Sequence, residues 1–429
     1  MDAAFRMDAA FRMAGCFRGR TRLLFGLLAA GLLLSSACRP DAPGEPDDVD
    51  TLRVLTYNIE DVRTADVRRT DHPRLTRAAA RIQHLRPDVL LVNELTYDQP
   101  GAPGYREGDA EGQNARRFVE HYLSRPQADS LRSLSYTPVM LPSNTGLPSG
   151  FDLNNDGRVV STVPSVPAPP EDGGVASQTE AGRAYGGDAW GFGTYPGQYA
   201  MALFVRPDLT IMHDSIRTFR LLTWSSLPEA RTPVDSTTGD PWYSPAEWDA
   251  LRLSSKSHWD VPVRLPNERV LHLLASHPTP PGFDGAADRN GRRNHDEIRL
   301  WADYLRGADY IRDDSSRQGG LDASALFVIL GDQNADPDEG SGRPGAIQQL
   351  LNHPRVQDPR PTASPGGQQA FPDLDADDTA RWGLRADYVL PARTLDVVHS
   401  GVWRPVRRPA PEVPVSDHFP VWIDLAVPP

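Results

Sequence analysis

The chain has 429 residues and carries 57 acidic against 45 basic side chains, a formal charge of -12 at pH 7. That balance argues against nonspecific binding of duplex DNA, which depends on neutralised backbone phosphates, but it leaves room for an enzyme handling a small phosphate ester with a few local arginines. The length suits one large domain or two medium ones, and only two cysteines, Cys16 and Cys38, are present.

Arg18, Arg20 and Arg22 precede an uncharged run from Leu23 to Leu34, and small residues lead from Ser35 to Cys38. At that length the run reads as the apolar part of a signal peptide rather than as a membrane-spanning helix. Leu34-Ser35-Ser36-Ala37-Cys38 resembles a bacterial lipoprotein box, with Ser35 where an aliphatic residue is usual. Residues 1–37 are therefore read as a signal peptide and Cys38 as a lipidation site, with ordinary secretion as the alternative. Residues 38–50, rich in proline and acids, read as a tether. The expected location is outside the cytoplasm, as a cell-envelope lipoprotein or a periplasmic or extracellular protein, touching membrane only through the anchor. Cys16 would be removed, so no disulfide is expected and stability must come from the core.

From residue 51 to 429 a single domain is expected. Thr51 to Tyr57 alternates and is rich in β-formers, a strand ending at Asn58. Leu75, Ala78, Ala79, Ile82 and Leu85 have helical spacing, and the helix must stop before Pro87. Asp88 to Val92 is a second buried strand with Asn93-Glu94 at its end. Asn114 to Tyr122 reads as a helix, and residues 142–198 and 223–249 as long loops rich in Gly, Pro and Trp. Met201 to Val205 is a strand; Val261 to Leu265 and Val270 to Ala275 form a hairpin around Pro266-Asn267-Glu268, and the second strand runs into Ser276-His277-Pro278. Asp296 to Tyr310 is an amphipathic helix. Leu326 to Ile329 is a buried strand that Leu330-Gly331 end before Asp332-Gln333-Asn334. A strand over Ala386 to Leu390 and a final Ser416-Asp417-His418-Phe419-Pro420-Val421 close the chain.

Asn58, Glu94, His277, Asp332, Asn334, Asp387, Asp417 and His418 each stand at or beside the end of a predicted apolar strand. Any one alone reads equally as a turn or surface residue. Strand ends of a layered α/β protein converge on one cleft, which gives the set a common place. Carboxylates and amides suit a hard divalent cation, and histidines move protons near neutral pH.

The order of motifs resembles the endonuclease/exonuclease/phosphatase superfamily: TYN at Asn58, NE at Glu94, SHPTPP at His277, GDQNADP at Asp332 and Asn334, RADYVLP at Asp387, and SDHFPV at Asp417-His418. SHPTPP together with FPGQY-like segments is similar to a secreted bacterial subgroup. The resemblance implies an α/β fold, a four-layer α/β/β/α sandwich with two mixed sheets, and metal-dependent attack on a phosphoester using Mg2+ or Mn2+. It further implies that Glu94, Asn58 and Asp417 hold the metal and that Asp387 orients and charges His418. Asp332 and His418 would hold the attacking water, Asn334 a phosphate oxygen, and His277 would hydrogen-bond the phosphoryl group or protonate the leaving oxygen. Glu94 follows Asn93 where much of the family has Gln.

Further candidates lie outside this set. Asp152-Leu153-Asn154-Asn155-Asp156-Gly157 has the front half of a calcium loop, but Val163 at the twelfth position excludes a standard EF-hand. A structural Ca2+ shared with Asp188 is one reading and an Asx-rich turn the other. Residues 188–199, DAWGFGTYPGQY, read as a segment lying over the cleft. Lys256 and His258, ahead of a strand, are substrate-binding candidates or a solvated loop; Arg289, Arg292 and Arg293, a basic cluster before the helix, are phosphate ligands or solvated charges. The function expected is an exported phosphoesterase of small phosphomonoesters or diesters, monomeric, with an extracellular nuclease for DNA or RNA as the alternative. A non-enzymatic surface lipoprotein would predict decay of the polar set, which is intact. Action on lipid headgroups would call for an apolar membrane-inserting hairpin, which is not evident.

Overall fold

The computed structural model describes residues 51–170, 174–407 and 415–427. The expected signal peptide, the tether and Cys38 lie outside the described residues. The elements in chain order are β1 (Thr51–Val62), α1 (Thr64–Val67), α2 (Pro73–Leu85), β2 (Val89–Leu95), α3 (Asn114–Phe118), β3 (Thr137–Val139), α4 (Glu180–Gly187), β4 (Met201–Val205), β5 (Thr210–Ile211) and β6 (Arg217–Thr218). They continue with α5 (Pro245–Ala250), β7 (His258–Arg264), β8 (Val270–Ser276), α6 (Arg289–Arg306), β9 (Leu326–Asp332), α7 (Gln348–Leu351), α8 (Pro365–Ala370), β10 (Asp387–Pro391), β11 (Val397–Val402) and β12 (Val421–Ala426).

Two mixed sheets result. One runs β11-β12-β1-β2-β4-β3; the other runs β10-β9-β8-β7-β5, with β6 also pairing β7. The period-two alternation of the strands explains how the first sheet is covered on both faces. Leu52 and Val54 of β1, Val89 and Leu91 of β2 and Leu203 of β4 join the core that includes the second sheet. Leu55, Tyr57, Leu90, Val92 and Phe204 point the other way, onto Leu75, Ala78, Ala79 and Ile82 of α2 and Phe118 of α3. The second sheet packs its far face on Ile298, Trp301 and Leu305 of α6. Helix, sheet, sheet, helix is the four-layer arrangement expected.

Three boundaries differ instructively from the sequence reading. β1 continues past Asn58 to Val62, with a register shift against β2 between those residues, and so includes Glu60 and Asp61. α6 begins at Arg289 rather than Asp296; its first turns are polar (RNGRRNH) and carry no apolar stripe that would mark them as helix in the sequence. It ends at Arg306 because Gly307 takes a left-handed conformation and its N–H returns to Asp303. The two long loops hold short helices, α4 and α5, each with an N-cap hydroxyl (Thr179, Ser244) accepting a backbone N–H. Among the described residues no helix is long and apolar enough to cross a membrane.

Candidate active site

The strand ends meet where the two sheets come together. Asn58 stands opposite Asn93 in the parallel β1–β2 ladder, which brings it beside Glu94. In the second sheet Asp387 of β10 pairs directly with Asp332 of β9, and β8 delivers His277 next to them. One side chain ties the sheets: the Asn58 amide donates both to Glu94 Oε1 and to Asp332 Oδ2, each at 3.1 Å. Ser416 locks the last motif onto this point by donating to the Asn58 carbonyl at 2.6 Å and accepting from the His418 N–H.

Close approach dictates one glycine. Gly331 has φ +136°, and a Cβ there would lie 2.0 Å from the Ser276 carbonyl oxygen. β8 and β9 can therefore run side by side up to His277 and Asp332 only with hydrogen at that position. The backbone around the site is strained elsewhere: Glu60, Asp61, Glu94, Tyr199 and Asn334 are all non-glycine residues with positive φ. Such conformations cost about 1–3 kcal/mol each and persist where the surroundings impose them.

His418 is the electrostatic centre. Its Nδ1 lies 2.7 Å from Asp387 Oδ2, and its Nε2 lies 3.6 Å from Asp332 Oδ2 and 3.9 Å from Asp417 Oδ1. Burial opposes its charge, but the carboxylates of Asp387, Asp332 and Asp417 outweigh it and raise the imidazolium pKa well above the ordinary value. Asp387 is oriented in turn by Thr379, whose hydroxyl donates to the same Oδ2 at 2.7 Å. Burial lifts Asp332 to about 6, with the His418 charge restraining the rise. Across from them His277 Nε2 is 3.5 Å from Asp332 Oδ2, while its Nδ1 is buried with no partner. Burial, then the nearby Lys256 and His418 charges, hold the His277 ring neutral, well below its usual range.

A second group of acids faces this pair. Glu94 accepts the Asp61 N–H at 2.9 Å, and Glu60 accepts the Asp417 N–H at 3.1 Å. Burial and the charge of Asp417 push both Glu94 and Glu60 up to about 7. Carboxylates crowded until they hold protons at neutral pH are a donor set suited to a hard divalent cation, whose charge would remove the repulsion. Glu94, Glu60 and Asp417 offer oxygens of that kind, and the Asn58 side-chain oxygen beside them accepts the Glu60 N–H at 2.9 Å. Among the described residues the Asp, Glu and His group whose ligand atoms all lie within 4.8 Å of one another is Asp332, Asp387 and His418, not Glu94, Glu60 and Asp417, and there Asp387 and His418 are already bonded to each other.

Among the remaining candidates, Lys256 reaches the site and the others do not. Its ammonium, on a side chain only 5% exposed, donates to the Pro278 carbonyl at 3.2 Å, and the Asn334 amide donates to the same oxygen at 3.2 Å. His258 has both ring nitrogens engaged, with Ser254 Oγ at 2.6 Å and the Glu297 carbonyl at 2.9 Å, so no donor is left for substrate. Arg293 donates to the carbonyls of Leu253, Trp190 and Arg252, and Arg289 to that of Leu153. These two guanidinium groups tie loops to α6 instead of lining the cleft. Arg292 points to another face of α6, toward Thr232.

The 152–159 segment forms Asx turns: Asp152 accepts from the N–H of Asp156 and Gly157, Asn154 from Asp156, and Asp156 from Arg158. Asp188 spends its oxygens on the N–H of Leu153 and Val160. Residues 188–199 pack beside the site, with Tyr195 and Gln198 both bonded to Asp61. Two contributors were not anticipated. Glu60 carries only the weak signal of an acid two residues after Asn58. Trp382, 51% exposed, stands edge-on to His418 with ring centroids 4.9 Å apart; only the turn that bonds Arg381 N–H to the Asp417 carbonyl puts it there.

A model of the endonuclease/exonuclease/phosphatase family matches residues 55–418. A search of curated protein sequences returns no significant match. Solved structures to which the chain is similar include an endonuclease/exonuclease/phosphatase from Beutenbergia cavernae, at 19% identity and TM-score 0.43 over 88% of this chain and 72% of that one. A family protein from Leptotrichia buccalis matches at 12% identity and TM-score 0.44 over 88% and 100%. A mannosyl-6-phosphatase from Bacteroides thetaiotaomicron matches at 14% identity and TM-score 0.40 over 88% and 100%. With the family model spanning most of its length, the chain belongs to the endonuclease/exonuclease/phosphatase family.

Proposed function

We propose that this chain is an exported, metal-dependent phosphoesterase acting on small phosphomonoesters or diesters. The observation that carries the reading is the charged His418–Asp387 pair at 2.7 Å, aimed at Asp332 and bordered by the crowded acids Glu94, Glu60 and Asp417. The cation, magnesium or manganese, would be held by Glu94, Asn58 and Asp417 with Glu60, and when bound supplies positive charge to the phosphoryl oxygens.

His418 Nε2 and Asp332 Oδ2, 3.6 Å apart, are the donor and acceptor that would flank the attacking water. His418, charged, orients that water; Asp332, lifted to about 6, accepts its proton as it attacks phosphorus in line. Asn334 and Lys256, which share the Pro278 carbonyl, turn their remaining N–H groups to the non-bridging oxygens and stabilise the charge that builds there. His277 is neutral, which favours a hydrogen bond to the phosphoryl group over protonation of the leaving oxygen.

The test is a magnesium- or manganese-supplemented panel of monoesters, diesters and polynucleotides, with Asp332→Ala as the blank. Hydrolysis of nitrophenyl phosphates that chelation abolishes is expected. No activity above the blank on the whole panel removes the enzyme reading. Plasmid or oligonucleotide cut faster than the small esters replaces it with a nuclease.

A further inference from the structure

α6 presents two stripes with different tasks. Asn294, Glu297 and Trp301 face the catalytic side, bonding Thr279, Ser255 and Ser276. Arg292, His295 and Arg299, spaced i, i+3, i+7, lie on a separate stripe. With Arg231 and Thr232 from the preceding long loop they line an open polar groove of about 660 Å3.

Of the guanidinium groups in this groove, Arg299 is paired with a carboxylate and Arg231 and Arg292 are not. Arg292 donates Nη1 to the Thr232 carbonyl at 3.1 Å, while its Nε is buried without a partner. Arg299 donates Nη1 to the Pro228 carbonyl at 2.8 Å and pairs with Asp303 through Nε at 3.0 Å. Arg231 rests on the His295 ring, its Nε 3.0 Å from Nδ1. Among the described residues no carboxylate forms an ion pair with the Arg231 or Arg292 guanidinium; Glu229 lines the groove, and Asp296 accepts the Arg231 backbone N–H at 2.7 Å and lies 3.0 Å from His295 Nδ1. Arg231 and Arg292 thus place two guanidinium groups without a carboxylate partner side by side in a protein of net charge -12. Anchoring of Arg292 and Arg299 to carbonyls and of Arg231 to the His295 ring holds these side chains before any ligand arrives, so less side-chain entropy remains to be lost on binding. The groove is also wider than one tetrahedral anion needs.

We propose that this groove is a second anion site, separate from the catalytic cleft, that takes a ligand bearing several phosphate groups in a row. The planar N–H forks of Arg231, Arg292 and Arg299 match phosphate oxygens, and a chain of phosphates spans the three where orthophosphate reaches only part of the set. The site does not depend on the phosphoesterase reading.

Binding of tripolyphosphate to the full chain, measured calorimetrically in EDTA so that no metal-dependent turnover intervenes, tests it. Saturable one-to-one binding is expected, weaker for orthophosphate and weakened by salt. Arg292→Gln and Arg231→Ala should each lower affinity by about tenfold, the loss of one charge-assisted bond, and His418→Ala and Asn334→Ala should leave it unchanged. Arg231 is exposed, so its variant remains informative even if Arg292→Gln fails to fold. Absence of binding overturns the proposal. So does binding that survives Arg231→Ala and disappears in Asn334→Ala, because the anion would then sit in the catalytic cleft. Failure of the ester panel with intact tripolyphosphate binding would leave this site standing and remove only the catalytic reading.

Discussion

Replacing Asp387 by Asn isolates the contribution of the charged dyad. The side chain keeps its size, and the amide oxygen can still accept the Thr379 hydroxyl that now bonds Oδ2 at 2.7 Å. What disappears is the negative charge 2.7 Å from His418 Nδ1, the first of the carboxylates that keep this buried ring protonated. Removing one partner of a buried ion pair costs about 3–5 kcal/mol. At 1.36 kcal/mol per decade, a loss expressed in the transition state lowers kcat by about 10^2- to 10^4-fold, the range for a positioned acid–base group. The assay is steady-state hydrolysis of a nitrophenyl phosphate with saturating magnesium, with thermal melting to confirm folding. KM should change little, and Asp387→Asn/His418→Ala should be no slower than His418→Ala alone, since the residues act as a unit. A variant within about threefold of the parent, against an inactive His418→Ala, would refute the reasoning and reduce Asp387 to a packing residue.

Gly331→Ala places a methyl 2.0 Å from the Ser276 carbonyl at positive φ, and a loss of about 3 kcal/mol or more in urea unfolding is expected; a change below about 1 kcal/mol would show that β8 and β9 separate easily. His258 is buried and held down to about 4 by burial, with the Glu297 contacts opposing. The unfolded chain takes up a proton near 6.5 and the folded chain does not until about 4, so this contribution is complete above 6.5 and lost as pH falls through that window. The stability gap between parent and His258→Gln should therefore shrink by about 3 kcal/mol from pH 7 to pH 4; a constant gap contradicts it. Trp382 offers an exposed ring at the edge of the site, so Trp382→Ala should lower kcat/KM for aryl phosphates about two- to tenfold relative to alkyl phosphates, the value of one aromatic contact. An unchanged aryl-to-alkyl ratio would mean that the indole shields His418 without touching the leaving group.

What the sequence by itself determined is the set of strand ends. Asn58, Glu94, His277, Asp332, Asn334, Asp387 and His418 were legible because each interrupts a buried run of apolar residues, and burial makes alternation and polarity unambiguous. The structure brings that set together through contacts between segments far apart in the chain, Asn58 to Asp332 and His418 to Asp387, which have no local signal. Assignments that depended on direction could not be read in the same way. A polar helical turn looks like a loop, so the start of α6 was missed and Arg289, Arg292 and Arg293 appeared as one cluster. Helical rotation sends Arg293 to loop carbonyls and Arg292 to a separate groove. His258 and Lys256 are two residues apart, yet one is closed into the core and the other reaches the carbonyl beside Asn334. Glu60 and Trp382 join the site through a bulge and a turn whose positions follow from packing between distant segments. Strand ends are encoded locally by hydrophobic period; which way a polar side chain faces is decided by the elements that pack against it, and only the tertiary structure contains those.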